Sequence, residues 1–146
     1  MRVACLGGGP AGLYFAISMK LRNADHQVTV IERNRPNDTF GWGVVLSDET
    51  LINLADNDPE SAAAIRRHFA YWDDVAVHLH GQRIVSSGHG FCGIGRMTLL
   101  GILQQRAQEL DVEMRFETEV QNAEQYRKDY DVVVASYGLN SKTRGR

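Results

Sequence analysis

Three glycines near the start of the chain have the spacing of a phosphate-binding turn. Gly7, Gly9 and Gly12 lie between a short apolar run and a helical pattern that opens with Pro10 and Ala11. In a strand–turn–helix unit the first glycine permits the tight turn, the second lets the backbone approach a pyrophosphate, and the third lets the helix pack close to the strand. The helix N-terminus then offers N–H groups and a positive dipole end to the phosphates. The spacing therefore predicts a dinucleotide-binding turn.

A carboxylate follows at the distance that such a site requires. Glu32 lies twenty residues after Gly12 and directly after a second apolar run at 28–31. At the tip of a strand, its side chain can accept hydrogen bonds from the ribose hydroxyls of an adenosine. A negative charge there disfavours the 2′-phosphate of NADP, so the pattern leaves FAD and NAD open as ligands.

The elements that must position these residues form a βαβ unit. The apolar run at 3–6 is typical of a buried parallel strand, and a helical pattern extends from Pro10 to about Arg22. A strand, a tight turn, a helix and a second strand within about thirty residues make a right-handed parallel crossover. A further apolar run at 131–135 predicts another parallel strand. We therefore expect the α/β fold class, with a Rossmann-like, parallel βαβ core.

The middle of the chain interrupts this α/β pattern. Apolar residues alternate at 75–79 and again at 84–85, on either side of a turn at 80–82, which predicts an inserted β-hairpin. The other expected elements are, in chain order, a loop at 33–43, a short helix capped by Ser47, a helix that begins at Asp58-Pro59-Glu60 with an apolar stripe through Trp72, a glycine-rich loop at 88–95, a helix at 98–110 and a strand at 112–116.

Composition narrows the class of protein further. The 146 residues suit one domain, and a net charge of −2 predicts neither nucleic acid nor an acidic membrane as a partner. No run approaches the roughly 20 apolar residues that cross a bilayer. The two cysteines fit a reducing cytoplasm, and His78 and His80 lack the further ligands of a metal site. No side chain is identified as a catalytic acid, base or nucleophile.

Several segments resemble a known family. The residues at 7–13 and 32–34 are similar to the opening of the FAD-dependent aromatic hydroxylases related to p-hydroxybenzoate hydroxylase. The segments at 40–48 and 88–96 resemble the members that act on aromatic acyl-CoA thioesters such as salicylyl-CoA and 2-aminobenzoyl-CoA. The resemblance covers essentially all 146 residues. It implies an FAD cofactor, NAD(P)H as co-substrate, and the transfer of oxygen from O₂ to a small aromatic substrate.

The resemblance also assigns roles to individual residues. Arg33 matches a basic residue beside the adenosine, and Val120 matches a backbone contact to adenine. Gly43 and Val44 belong to a segment that resembles the loop under the flavin ring. Arg96 matches an arginine that reaches the ribityl-pyrophosphate part of the cofactor. The predicted cofactor contacts are therefore Gly7, Gly9, Pro10, Ala11, Gly12, Glu32, Arg33, Gly43, Val44, Arg96, Val120 and Gly138.

The last segment resembles a second family motif, Asp-Gly-x-x-Ser-x-x-Arg. Gly138, Ser141 and Arg144 fit this motif, but Tyr137 stands where the family has its aspartate. A third motif, a Gly-Asp pair before a helix, has no counterpart, and neither does a second sheet around the substrate. We therefore expect residues 1–146 to be the N-terminal FAD/NAD(P)-binding domain of a longer flavoprotein, truncated before its substrate domain. The alternatives are another FAD-dependent oxidoreductase, such as a reductase or dehydrogenase, and an inactive dinucleotide-binding fragment.

Overall fold

The computed structural model of the protein describes residues 1–36 and 38–138. The elements, in chain order, are β1 (Arg2–Leu6), α1 (Pro10–Arg22), β2 (Gln27–Ile31), β3 (Gly43–Leu46), α2 (Asp48–Asn57), α3 (Pro59–Arg66), β4 (Ala70–Trp72), β5 (Val75–Leu79), β6 (Gln82–Ser86), β7 (Phe91–Gly95), α4 (Arg96–Glu109), β8 (Glu113–Arg115), a short 3-10 helix (Ala123–Lys128) and β9 (Val132–Ala135).

A four-stranded parallel sheet with the order β8-β2-β1-β9 forms the centre of the fold. Strand β1 pairs in parallel with both β2 and β9, so that Leu6 lies opposite Ile31 on one side and Ala135 on the other. The inner strands are apolar because both faces of the sheet are covered. The predicted parallel βαβ core is confirmed, and the last strand lies beside the first.

The two faces of this sheet bury separate apolar clusters. Alternate residues of β1 point to opposite faces, which places Val3 and Cys5 with helices α1 and α4, and Ala4 and Leu6 with the 3-10 helix. Leu13, on α1, is completely buried in the first cluster. The sheet is therefore held between helices, and the carboxyl ends of its strands lie together at one edge.

A buried ion pair connects α3 to α4. Arg106 donates two hydrogen bonds to Asp58, from Nε and Nη2, each 3.1 Å long, and it also contacts Glu60. The side chain of Asp58 is only 1% exposed. Burial alone would raise the pKa of Asp58, but hydrogen bonds from Arg106 and Ser61 outweigh burial and hold that pKa below its ordinary value. The pair fixes α4, whose first residue is Arg96.

The remaining strands are antiparallel. Strands β3, β7 and β4 form one small sheet, and β5 and β6 form the predicted hairpin. Its turn residues His80 and Gly81 have φ angles of 49° and 77°, which is the left-handed conformation that two-residue hairpin turns need. The hairpin prediction is confirmed.

Two expectations for the middle of the chain were wrong. The segment expected to be a glycine-rich loop contains β7, because Gly93 leaves room for the ring of Trp72, 3.0 Å from the position of a Cβ atom. Helix α3 ends at Arg66, so Trp72 lies in β4 and not on a helical stripe. The segment at 41–45, which resembles the loop under the flavin ring of the family, continues into β3 at Gly43, and its place beside a flavin stays a prediction.

Candidate dinucleotide-binding site

A cavity of about 290 Å³ opens at the carboxyl ends of the parallel strands. This edge is the usual ligand site of open α/β sheets. Its walls include most of the residues predicted from the sequence to contact a cofactor, namely Gly7, Gly9, Pro10, Ala11, Glu32, Arg33, Arg96, Val120 and Gly138. Segments more than a hundred residues apart in the chain therefore meet around one cavity.

The glycine turn has no room for side chains on its inner side. Gly7 has a φ angle of 120°, and a Cβ atom there would lie 2.6 Å from the carbonyl oxygen of Ser136. A Cβ atom on Gly12 would overlap the carbonyl oxygen of Gly7. At Gly9, by contrast, no atom lies within 4 Å of an added Cβ. The turn is closed towards the sheet and open towards the cavity, which suits the approach of a phosphate to the backbone.

The N-terminus of α1 lacks the features that would neutralise it. Gly9 caps the helix without a side-chain hydrogen bond, Pro10 occupies the start of its first turn, and that turn contains no acidic residue. Helix α2 differs, because Ser47 accepts a hydrogen bond from the N–H group of Thr50 and two acidic residues follow. The N-terminus of α1 therefore leaves the positive end of the helix dipole available for an anion.

Glu32 lies beside the turn at the end of β2. Its Oε2 atom accepts a hydrogen bond of 2.7 Å from the backbone of Gly8, and its Oε1 atom accepts two from Asn34, of 2.8 and 2.7 Å. An ionised carboxylate offers about four acceptor positions, so about one remains for a ribose hydroxyl. A Cβ atom on Gly8 would lie 2.9 Å from the Glu32 Cβ. Gly8 was absent from the predicted contacts, and its signal was the run of three consecutive glycines.

The three residues with buried, unpaired polar atoms line the same cavity. Among residues 1–36 and 38–138, the buried side-chain nitrogen and oxygen atoms without a hydrogen-bond partner are Thr39 Oγ1, Arg96 Nε and the Tyr137 hydroxyl. All three residues line the cavity. A buried polar group left unpaired costs about 1–3 kcal/mol. The walls of the cavity are therefore built for a polar ligand, as the diphosphate and sugar of a dinucleotide require.

Other predicted residues lie away from the lining. Gly12 packs beneath the turn, whereas Gly43 and Val44 are part of β3, where Val44 packs against the core. The backbone of this segment still meets the cavity indirectly, because the N–H group of Arg96 donates to the carbonyl oxygen of Trp42 over 3.2 Å. Ser141 and Arg144, of the second family motif, lie outside the described residues.

Ser136 and Thr39 are among the cavity residues that the sequence analysis did not identify. Ser136 donates hydrogen bonds to the carbonyl oxygens of Leu6 and Gly7, at 3.1 and 2.9 Å, and so joins the end of β9 to the glycine turn. Thr39 lies in the loop between β2 and β3. Neither has a local pattern to mark it, because both reach the site only through tertiary packing.

Two other features are absent from the described part of the chain. It contains no group of three or more His, Cys, Asp or Glu side chains that could hold a metal ion. None of its helices combines the length and the apolar character needed to cross a membrane.

Known proteins with similar sequences are monooxygenases. The chain is 46% identical over 144 residues to a salicyloyl-CoA 5-hydroxylase from a Streptomyces species, covering 99% of this chain and 28% of the relative. It is 34% identical, again over 144 residues, to 3-hydroxy-4-methyl-anthranilyl-[aryl-carrier protein] 5-monooxygenase from Streptosporangium sibiricum, covering 99% of this chain and 40% of that protein. The chain thus spans well under half the length of these relatives.

The fold of the chain is similar to that of an oxygenase of known structure. A crystal structure of a variant of 2-methyl-3-hydroxypyridine-5-carboxylic acid oxygenase superposes with a TM-score of 0.76 at 22% identity, over 99% of this chain and 41% of that one. The chain therefore shares its fold with part of that protein. The model of the FAD binding domain family matches residues 1–144, and the chain belongs to that family.

Proposed function

We propose that this chain binds FAD and serves as the FAD-binding part of a longer monooxygenase, which hydroxylates an aromatic ring with NAD(P)H and O₂. The observation that carries the proposal is the cavity at the ends of β1, β2 and β9. A glycine turn, a helix N-terminus without a side-chain cap, a carboxylate and three residues with unpaired polar atoms lie around it. Membership of the FAD binding domain family supports FAD over NAD.

Different residues of the site would contact different parts of the cofactor. The backbone at Gly9 and the first turn of α1, with Pro10, Ala11 and Gly12, would hold the diphosphate. Glu32 would accept a hydrogen bond from the adenosine ribose, with Arg33 beside it. Val120 would contact the adenine through its backbone, and Gly138 would close the opposite side of the cavity.

The other end of the cofactor lies towards α4. Arg96 would reach the ribityl-pyrophosphate part through its unpaired Nε atom. The segment with Gly43 and Val44 would lie near the flavin ring. Bound FAD supplies the electron transfer from NAD(P)H and the activation of O₂ that none of these side chains can provide. The described residues bind and orient the cofactor.

The substrate proposed for the complete enzyme is a carrier-linked aromatic acid. The names of both relatives place the aromatic group on a carrier, CoA in one and a carrier protein in the other. The longer protein should therefore consume NAD(P)H and O₂ much faster with an aromatic acyl-CoA than with the free acid, and labelled O₂ should enter the product. Equal rates would remove the carrier assignment, and an unlabelled product would indicate a reductase or dehydrogenase.

The proposed compartment is the cytoplasm. Both cysteines, Cys5 and Cys92, are buried and free. Burial raises the pKa of the Cys5 thiol to about 12, which makes it an unreactive part of the core. Disulfide formation after purification in air would argue against this placement.

FAD binding by the purified chain tests the proposal directly. Titration with the chain should quench flavin fluorescence, and protein purified with its cofactor should be yellow and release FAD on denaturation. Glu32→Ala should raise the dissociation constant about tenfold, since hydrogen bonds to charged groups contribute about 1.5–3 kcal/mol.

Two further variants make that result specific. Glu49→Ala removes an exposed carboxylate at the start of α2 and should leave FAD affinity unchanged. Glu32→Gln keeps one acceptor oxygen and should lie between the parent and Glu32→Ala. If the parent chain shows no affinity for FAD, the proposed function is wrong. If all variants bind equally, the ribose contact is misassigned.

A further inference from the structure

Tyr137 is the residue at which this chain departs from its family motif. Its ring packs with the second apolar cluster, on the face of the sheet opposite α1, together with Val120 and Tyr126. Its hydroxyl oxygen is buried and has no hydrogen-bond partner among the described residues. The ring of Tyr137 is therefore packed against apolar residues, while its hydroxyl group still lacks a hydrogen-bond partner in the described part of the chain.

The position of Tyr137 is fixed by the glycine turn. The carbonyl oxygen of Ser136 and the nitrogen of Tyr137 lie 2.6 and 3.1 Å from where a Cβ atom on Gly7 would be. Ser136 is also hydrogen-bonded to the turn through its side chain. The backbone that carries Tyr137 is thus in contact with the start of the glycine turn.

Its neighbours indicate which half of the cofactor it faces. Tyr137 and Val120 share one apolar cluster and both line the cavity, whose wall continues to Glu32 on the next strand but one. Val120 is the proposed contact of the adenine, and Glu32 is the proposed contact of its ribose. Thr39 and Arg96, the other residues with unpaired polar atoms, belong to the loop after β2 and to α4.

We infer that the Tyr137 hydroxyl hydrogen-bonds to the adenosine diphosphate half of the bound dinucleotide and is a binding residue of this site. The inference rests on the proposed FAD binding and adds a contact that the family motif does not supply.

The chemistry of a phenol suits this position. A tyrosine hydroxyl can donate one hydrogen bond and accept others, so it can pair with a phosphate oxygen, a ribose hydroxyl or a ring nitrogen. Burial, and then the neighbouring Tyr126, raise the pKa of Tyr137 to about 12. The group therefore stays protonated at neutral pH and adds no negative charge beside the diphosphate, unlike the aspartate that it replaces.

Tyr137→Phe removes only the oxygen atom and tests the contact. The dissociation constants of FAD, from flavin fluorescence, and of ADP, from competition against FAD, are measured on the full chain. Both should rise by the same factor, about five- to tenfold, as expected for one lost hydrogen bond. Tyr126→Phe is the matched control, because Tyr126 lies in the same cluster but does not line the cavity, and it should leave both constants unchanged.

The ligand-free protein gives a second measurement. Since the hydroxyl has no partner among residues 1–36 and 38–138, Tyr137→Phe should leave the melting temperature unchanged or raise it, while the rise produced by added FAD becomes smaller.

Each other outcome would overturn the inference. Unchanged FAD affinity in Tyr137→Phe rules out the contact, while tight binding by the parent keeps the proposed function intact. Weaker FAD binding with unchanged ADP binding places the hydroxyl on the flavin half. A melting temperature lowered without ligand identifies a structural hydrogen bond instead.

Discussion

The central parallel sheet and the β5–β6 hairpin have similar apolar residues but bury them very differently. Ile31 in β2 is 1% exposed, whereas Ile84 in β6 is 57% exposed. Helices cover the parallel sheet on both faces, while every residue of the hairpin is exposed in the described structure. Continuous apolar runs predicted the buried parallel strands, and apolar alternation predicted the hairpin strands, but the alternation did not indicate that the hairpin is exposed. The stability of the described structure resides in the parallel sheet.

The largest expected difference is between two isoleucine substitutions. Ile31→Ala should lower the free energy of unfolding by about 2–5 kcal/mol, because it leaves a cavity in a packed cluster. Ile84→Ala should change it by less than about 0.5 kcal/mol, since an exposed side chain loses little by truncation. Urea denaturation without nucleotide measures both. Equal losses would mean that the hairpin belongs to the same cooperative core.

Two glycine substitutions test the same contrast in the backbone. Gly12→Ala places a Cβ atom against the carbonyl oxygen of Gly7, so α1 must move. The free energy of unfolding should fall by about 2–3 kcal/mol, and the affinity for FAD should fall as well. Gly81→Ala, in the hairpin turn, meets no atom within 4 Å and costs only the strain of its φ angle of 77°, about 1 kcal/mol. The hairpin variant should bind FAD like the parent. Reduced affinity in Gly81→Ala would connect the hairpin to the site.

The smallest effect concerns pH. The pKa of Asp58 is lowered in the folded protein, so its contribution to stability is complete above the unfolded value, about 3.9, and is lost as the pH falls through the folded value. Asp58→Asn should therefore reduce the loss of stability below about pH 4. Arg83→Met, in the exposed hairpin, should leave the pH profile unchanged. Unfolding midpoints measured between pH 2 and 7 (roughly the window of carboxylate titration) decide between these outcomes; parallel profiles for parent and Asp58→Asn would contradict the assignment.

The sequence predicted those parts of the fold that depend on local signals. Glycine spacing and the two apolar runs define the βαβ unit, because a tight turn and a buried strand each impose their own residue types. Strand β7 was missed, since Gly93 is small to make room for Trp72, a contact that no local pattern records. The hairpin was found because its turn requires left-handed residues, which His80-Gly81 supplies.

The candidate site divides in the same way. Gly7, Gly9 and Glu32, which line the cavity, could be identified because their spacing along the chain is part of the motif. Thr39 and Ser136 could not, since their place in the wall follows from how distant segments pack. The burial of the Tyr137 hydroxyl is likewise a property of the folded protein, although the substitution itself is visible in the sequence.

The pairing of β1 with β9 has a consequence for the order of events during synthesis. One wall of the cavity is made by Ser136, which bonds to the turn at Gly7 across a separation of 129 residues. A nascent chain that has emerged only as far as β8 carries the glycine turn and Glu32 but lacks this wall. We therefore expect nucleotide capture on the ribosome only after β9 has docked, so that nucleotide retention would report on the docking of β9 and not on the presence of the motif alone.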